Sequence, residues 1–109
     1  MKDLIQFEDF LKLDLRVVTI LEAEPVPKSD KLLKLKVSLG EETKQIIAGI
    51  GKSYDPADLV GQQVVIINNL EPRDLMGLTS EGMILATDGE NGPIVLKPDT
   101  SAPDGGFVK

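Results

Sequence analysis

Between Leu33 and Leu39 the chain alternates without a break, with Leu33, Leu35, Val37 and Leu39 in one set and Lys34, Lys36 and Ser38 in the other. A period of two puts the sets on opposite faces of an extended backbone, so the stretch is a half-buried strand and not a helix of period 3.6. Gly40-Glu41-Glu42-Thr43 then supplies turn residues, and Lys44-Gln45-Ile46-Ile47-Ala48-Gly49-Ile50 supplies a second β-branched run. Together they predict an antiparallel hairpin with one face in a core. The rest of the chain must provide the other wall of that core.

Its candidates are short. Asp14–Glu22 is rich in β-branched residues and reads as an earlier strand, although its apolar and polar residues do not alternate cleanly. Pro25 to Asp30 is a loop, because its two prolines cannot donate to a ladder. Gly49 and Gly51 suggest a bulge or a close approach of two backbones. Asp55 as N-cap with Pro56 at the first helical position predicts one turn of helix. Gln63–Ile67 is a fourth strand, and Gly82–Thr87 a fifth whose nearly continuous apolar run predicts burial. A long connection from Asn68 to Glu81 joins them. Asp88–Pro93 is a turn, Ile94–Leu96 a last extended piece and Pro98–Gly106 an irregular tail. Phe7, Phe10 and Leu11, spaced i, i+3 and i+4, predict a short helix or turn that lids one end. Phe7, Phe10, Phe107 and Tyr54 are the only aromatics, so the core must be aliphatic. The sum is an all-β fold, a five-stranded Greek-key barrel of the oligonucleotide-binding (OB) kind with N- and C-terminal extensions, in one domain from residue 1 to 109. An SH3-like barrel is the competing architecture.

Composition then removes whole classes of chemistry. With no cysteine and no histidine, disulfides, thiolate nucleophiles, Cys/His zinc sites and His-based triads are excluded, and no cofactor is implied. Asp88 with Glu90, and Ser80 beside Glu81, lack a base, an orienting partner or a metal-ligand spacing, so the chain is not expected to be an enzyme. Gly49-Ile50-Gly51-Lys52-Ser53 contains a Gly-Lys-Ser but lacks the upstream glycine of a phosphate loop. No apolar run approaches the ~18 residues of a membrane helix, and Met1-Lys2-Asp3-Leu4 opens no secretory signal, which predicts a cytoplasmic chain without a membrane partner.

Charge is polarised. The net charge of -6 argues against a generic polyanion binder. Yet residues 28–36 hold Lys28, Lys31, Lys34 and Lys36 against Asp30, while residues 1–24 are acidic. The lysines can track a phosphate backbone, or they are simply a solvated strand face. The connection 68–83 mixes Arg73 with the polar groups of Asn68, Asn69, Thr79 and Ser80 and with Leu75, Met76, Leu78 and Met83. Such a loop can pack a base against a methionine while Arg73 holds phosphate, or it can merely close the barrel. The scarcity of aromatics disfavours a role in binding single strands by stacking.

Several ordered blocks carry a family resemblance: Phe7-Glu8-Asp9-Phe10-Leu11-Lys12-Leu13-Asp14-Leu15-Arg16-Val17, Ser29-Asp30-Lys31-Leu32, Ile47-Ala48-Gly49-Ile50, Asn69-Leu70-Glu71-Pro72-Arg73 and Ser80-Glu81-Gly82-Met83-Ile84-Leu85-Ala86. From about Phe7 to Leu96 the chain resembles the tRNA-binding OB domain found in methionyl-tRNA synthetase, in phenylalanyl-tRNA synthetase β chains, in stand-alone dimeric tRNA-binding proteins and in an export-related chaperone. The resemblance implies a non-catalytic module that recognises the shape of tRNA and partners an aminoacyl-tRNA synthetase catalytic chain. It implies Lys31 on phosphate, Ser80 and Met83 on the RNA-facing rim, and Arg73 and Asn69 beside them, with Lys28 and Lys34 as electrostatic help. Asp74-Leu75-Met76 departs from more basic relatives, which implies weak affinity. The family also implies a homodimer, for which Leu4, Ile5, Phe10, Ile94, Leu96, Phe107 and Val108 are surplus apolar side chains. The Met1 start and the length favour a stand-alone protein over a domain or accessory subunit of methionyl-tRNA synthetase. The alternative role is that of the chaperone branch, binding unfolded polypeptide through the same aliphatic loop.

Overall fold

The computed structural model describes residues 1–109. One turn of helix, α1 (Phe7–Phe10), precedes strands β1 (Leu15–Pro25), β2 (Leu33–Ser38) and β3 (Thr43–Ala48), and a second turn, α2 (Pro56–Leu59), leads into β4 (Gln63–Ile67). Six short strands follow: β5 (Arg73–Leu75), β6 (Leu78–Ser80), β7 (Met83–Ile84), β8 (Ala86–Gly89), β9 (Gly92–Val95) and β10 (Phe107–Val108). The main sheet runs β3-β2-β1-β4-β7. Every pairing in it is antiparallel, and β10 adds to β1.

The length of β1 makes the barrel. Leu15–Thr19 pairs with β4, whereas Thr19–Pro25 pairs with β2, and the register slips between Ile20 and Glu22. The extra residue is Leu21, a β-bulge that bends the strand so one element serves two walls. This bulge is also why β1 does not alternate cleanly in the sequence. Val18, Ile20, Leu33, Leu35, Val37, Ile46, Ala48, Val64 and Ile66 fill the interior, joined by Leu39, Ile50, Leu59 and Val95. The core is aliphatic, as the aromatic count requires. Each valine, leucine or isoleucine among them contributes roughly 1.5–3 kcal/mol by leaving water. Asp55 caps α2 by accepting from the Ala57 amide, and the turn drives Leu59 into the core. This small, nearly closed antiparallel barrel is the OB-like architecture, not the SH3-like one.

Four expectations need correction. The connection 68–81 is not a plain loop, because β5 and β6 form a hairpin within it. Its two-residue turn is Met76-Gly77, with φ of 52° and 81°. Both signs suit a type I′ turn, but methionine in place of asparagine hides it from a sequence reading. The fifth strand is not buried: its run breaks into β7 on β4 and β8 on β9, with Met83 and Ala86 exposed. Nor does α1 lid the barrel, since Phe7 and Leu11 are 71% and 61% exposed and the helix buries nothing. The tail is not irregular to its end, because β10 pairs with β1 at Leu15 and Arg16, in line with β2. No helix is long and apolar enough to cross a membrane.

Candidate nucleic-acid interface

The block Ser80-Glu81-Gly82-Met83 closes the barrel. The edge of β3 would otherwise present unpaired amides. Ser80 Oγ accepts from the Ile47 amide at 2.9 Å and donates to Gly82 O at 3.0 Å. Glu81 Oε1 accepts from the Gln45 amide at 2.9 Å, while the Glu81 amide donates to Gln45 O at 2.8 Å. The Gln45 side chain donates to Thr79 O at 2.8 Å. A hydroxyl and a carboxylate thus satisfy backbone donors where a regular ladder is missing. Ser80 is 4% exposed with both its hydrogen bonds made inside, so it lies beneath the rim and not on it. Met83, next along, is 39% exposed and does face outward.

Asn69 is also placed differently from the expectation. It is exposed, but its Oδ1 accepts from the Asp14 amide at 2.9 Å and its Nδ2 donates to Lys12 O at 2.7 Å. Both ends of the amide join the exit of β4 to the entry of β1. The side chain is a staple in this structure, not a free reader of bases.

Lys28 and Lys31 are exposed on the turn between β1 and β2. Ser29 shapes that turn, for its Oγ accepts from the Leu32 amide at 3.1 Å, and the Val26 amide donates to Leu32 O at 3.0 Å. Gly51 anchors the turn from the far side: its amide donates to Lys31 O at 2.6 Å, and a Cβ there would stand 2.9 Å from that oxygen. The expected close approach is therefore at Gly51, and it fixes the backbone that carries Lys31. Lys52 of the rejected phosphate-loop motif pairs with Asp30 at 3.4 Å.

Lys34 behaves otherwise. Glu24 stands opposite it on β1 and Glu22 stands opposite Lys36, with Nζ to carboxylate distances of 3.0 and 3.6 Å. The expected four-lysine track is neutralised at these two positions by carboxylates that sequence order alone does not place there. Arg73 begins β5 across from Ser80, and Ser80 is bonded to Ile47, which lies opposite Lys34. Arg73 and Lys34 are thereby linked across β6 and β3. Lys34 and Arg73 thus flank the seam where β6 closes on β3, Lys28 and Lys31 lie on the turn before β2, and Met83, three residues after Ser80, pairs with Ile67 at the end of β4.

A second constellation that the sequence reading missed surrounds the start of β1, where Leu15 pairs with Ile67 and Ile67 with Met83. Arg16 Nε donates to Asp14 Oδ1 at 2.7 Å, its Nη1 donates to Gly105 O at 3.1 Å, and its guanidinium lies 4.0 Å from the centroid of the Phe107 ring. Asn68 Nδ2 donates to the other Asp14 oxygen at 2.9 Å. The Arg16 hydrogen bond first, then that of Asn68, hold the Asp14 carboxyl below its ordinary 3.8 against a smaller opposing effect of burial. A lowered folded pKa means stability that is present above the unfolded value and lost as pH falls through the folded one. The difference in unfolding free energy between wild type and Asp14→Asn should therefore shrink as pH drops below about 4. Urea titrations at pH 7, 4 and 3 check this, and a constant difference would refute it.

Leu11, Leu13, Leu15, Phe107 and Val108 line a groove of about 440 Å³ beside this cluster. Phe10 stacks on Phe7 at 6.2 Å, and Leu4 and Ile5 are exposed before it. Ile94 does not join them. It lines a different hollow with Lys52 and Tyr54, and Leu96 is exposed just after β9.

Comparison with known proteins agrees with this geometry. The chain is 50% identical to a methionine–tRNA ligase of Flavobacterium johnsoniae over 98% of its own length, and 52% identical to that of Methanothrix thermoacetophila over 95%. In both cases it spans about 15% of the length of the ligase. Among solved structures, a MetRS related protein from Pyrococcus horikoshii superposes with a TM-score of 0.92 at 28% identity, covering 99% of this chain and 100% of that one. The chaperone CsaA of Bacillus anthracis gives 0.88 at 36%, covering 98% and 100%. A family model described as "Putative tRNA binding domain" matches residues 15–106, from the first residue of β1 to the glycine before β10. The chain belongs to this tRNA-binding domain family, a binding module and not a catalytic one.

Proposed function

We propose that residues 1–109 act as one tRNA-binding domain that holds the phosphate backbone through Lys28, Lys31 and Arg73 and rests Met83 against the RNA. One observation carries this reading. In a chain of net charge -6, Lys12, Arg16, Lys34, Lys36 and Lys52 are tied up in ion pairs; of the seven cations with no acidic partner within 4 Å, Lys2 and Lys109 lie at the two ends of the chain, Lys44 and Lys97 donate to Asn68 O and Gln62 Oε1, and Lys28, Lys31 and Arg73 are exposed with no side-chain partner. Unpaired cations on a mostly acidic surface give a local site and not a general attraction for polyanions. Ser80 and Asn69 serve by position, the first by setting Met83 and Arg73, the second by fixing the end of β4. Few aromatics, together with a rigid rim, favour recognition of folded RNA shape over single-strand sequence.

The test is fluorescence anisotropy of labelled elongator tRNA across a salt series, with single-stranded and duplex RNA as competitors. Saturable binding that weakens with salt and resists both competitors is expected; no binding at low salt would overturn the reading. CsaA, a chaperone by name, matches along its whole length, and exposed Met76 and Met83 suit an apolar segment, which makes polypeptide binding the second reading. An unfolded polypeptide that competes with tRNA at equal affinity would favour it. The similarity to methionine–tRNA ligases makes a synthetase catalytic chain the natural protein partner.

We further infer a homodimer built on the apolar groove at the β10 end, with Leu4, Ile5, Phe10, Phe107 and Val108 at its centre. Phe107 is 71% exposed, with Arg16 against its ring, and α1 leaves its apolar face uncovered. So many exposed apolar side chains in a chain of this size favour a two-fold contact. Light scattering should give twice the 11.8 kDa of the chain, and Phe107→Ser should shift the mass toward one chain. A wild-type mass of one chain at tens of micromolar would refute it.

A further inference from the structure

The bulge at Leu21 does more than bend β1. Ile20 pairs with Val37, and regular continuation would set Leu21 against Lys36 and Glu22 against Leu35, on the core side. The extra residue shifts the register so that Glu22 meets Lys36, Ala23 meets Leu35 and Glu24 meets Lys34. Leu21 itself is 42% exposed. Both glutamates thereby stand on the same outward face as the lysines. They line one groove of about 310 Å³ with Lys34, Lys36, Lys44 and Gln45. Side chains in the two pairs are 39–71% exposed. Exposed pairs of this sort contribute about 0–1 kcal/mol at most, so stability alone gives a weak reason for two in succession.

We propose that Glu22 and Glu24 are built-in counter-ions that mask Lys34 and Lys36, withdrawing the outer face of β2 from phosphate attraction, leaving Lys28, Lys31 and Arg73 as the contacts that hold tRNA, and rejecting generic single-stranded and duplex RNA. This rests on the RNA-binding reading above and assigns the source of its selectivity. A phosphate that approaches Lys34 or Lys36 must displace a carboxylate already held across the strand pair, so it gains little there. At Lys31 or Arg73 it displaces only water and free ions. The masked pairs therefore suppress contacts that any extended polyanion can make and leave those that need the geometry of the rim. Selectivity of this kind comes from weakening wrong partners as much as from holding the right one.

The experiment compares wild type with Glu22→Gln/Glu24→Gln and with Glu41→Gln/Glu42→Gln. The second double variant makes the same charge change at exposed turn residues that hold no ion pair. Probes are poly(U), heparin elution and tRNA. Unmasking should raise poly(U) affinity about tenfold at 100 mM salt and steepen its log–log salt slope by about 1.4, two single-strand contacts' worth. Elution from heparin should be later, with a smaller gain for tRNA. In the unmasked variant Lys34→Ala should reverse much of the poly(U) gain, although it changes little in the wild type. Equal shifts in the two double variants would show an effect of net charge and overturn the proposal, as would no shift in either. Failure of wild type to bind tRNA would sink the functional reading separately, because poly(U) and heparin report the masking without it.

Discussion

Gly82→Ala is expected to destabilise the fold by about 3 kcal/mol, the upper end of what overpacking costs. Gly82 has no left-handed φ to protect, so its conformation is open to any residue. The constraint is space. A Cβ at this position would stand 2.8 Å from Ile67 O and 2.9 Å from Ile46 Cδ1. Ile46 is fully buried and the oxygen belongs to β4, which pairs with β7 here, so neither neighbour can yield as a flexible surface side chain would. Relief requires β7 to lift from β4, or Ser80 and Glu81 to withdraw from β3, and either movement opens the barrel at its seam. About 3 kcal/mol in a chain of this size corresponds to a fall of roughly 12–20 °C in Tm. Thermal melts followed by circular dichroism, with urea titration for the free energy, would measure it. A midpoint within a few degrees of wild type would show that the seam is softer than the geometry indicates.

The same seam shows where sequence reading succeeds and where it stops. Leu33 to Ala48 was legible because strict alternation and a glycine turn fix both face and register, and the β2–β3 pairing follows it residue for residue. Asp55-Pro56 was legible for an equally local reason, the cap and the preset φ. Ser80 misled because its value is non-local: only the approach of Ile47 from 33 residues earlier turns a loop hydroxyl into a buried acceptor. In the sequence Glu22 and Glu24 belong to an acidic first quarter, and their real neighbours are lysines ten and more residues on. That pairing depends on a one-residue bulge that no periodicity announces, although faulty alternation in β1 marks its presence. Lys31 and Lys28 largely escape this difficulty because Ser29 shapes their turn locally, although Gly51 also anchors it from a distance. Their exposure follows from residues in the same short segment.

The Lys31→Ala/Arg73→Ala double variant should lose about 100-fold in tRNA affinity at low salt, with the log–log salt slope reduced by about 2. Both cations are exposed and outside any ion pair, so removing them leaves no buried partner and should move Tm by less than a few degrees. The affinity estimate takes about 1.4 kcal/mol for each charge-assisted contact, near the low end for hydrogen bonds to charged groups, and a factor of ten apiece. The two residues lie on different elements, Lys31 before β2 and Arg73 at the start of β5. A ligand that needs both must span the rim, so truncating both should remove the shape preference along with the affinity. Lys34→Ala is the informative contrast: Glu24 already holds that ammonium, and its loss should cost no more than about threefold. Lys52→Ala should likewise cost no more than about threefold, because Asp30 holds that ammonium. Equal losses at Lys31, Lys34 and Lys52 would mean that the protein responds to total positive charge, and the rim would then lose its claim to be a site.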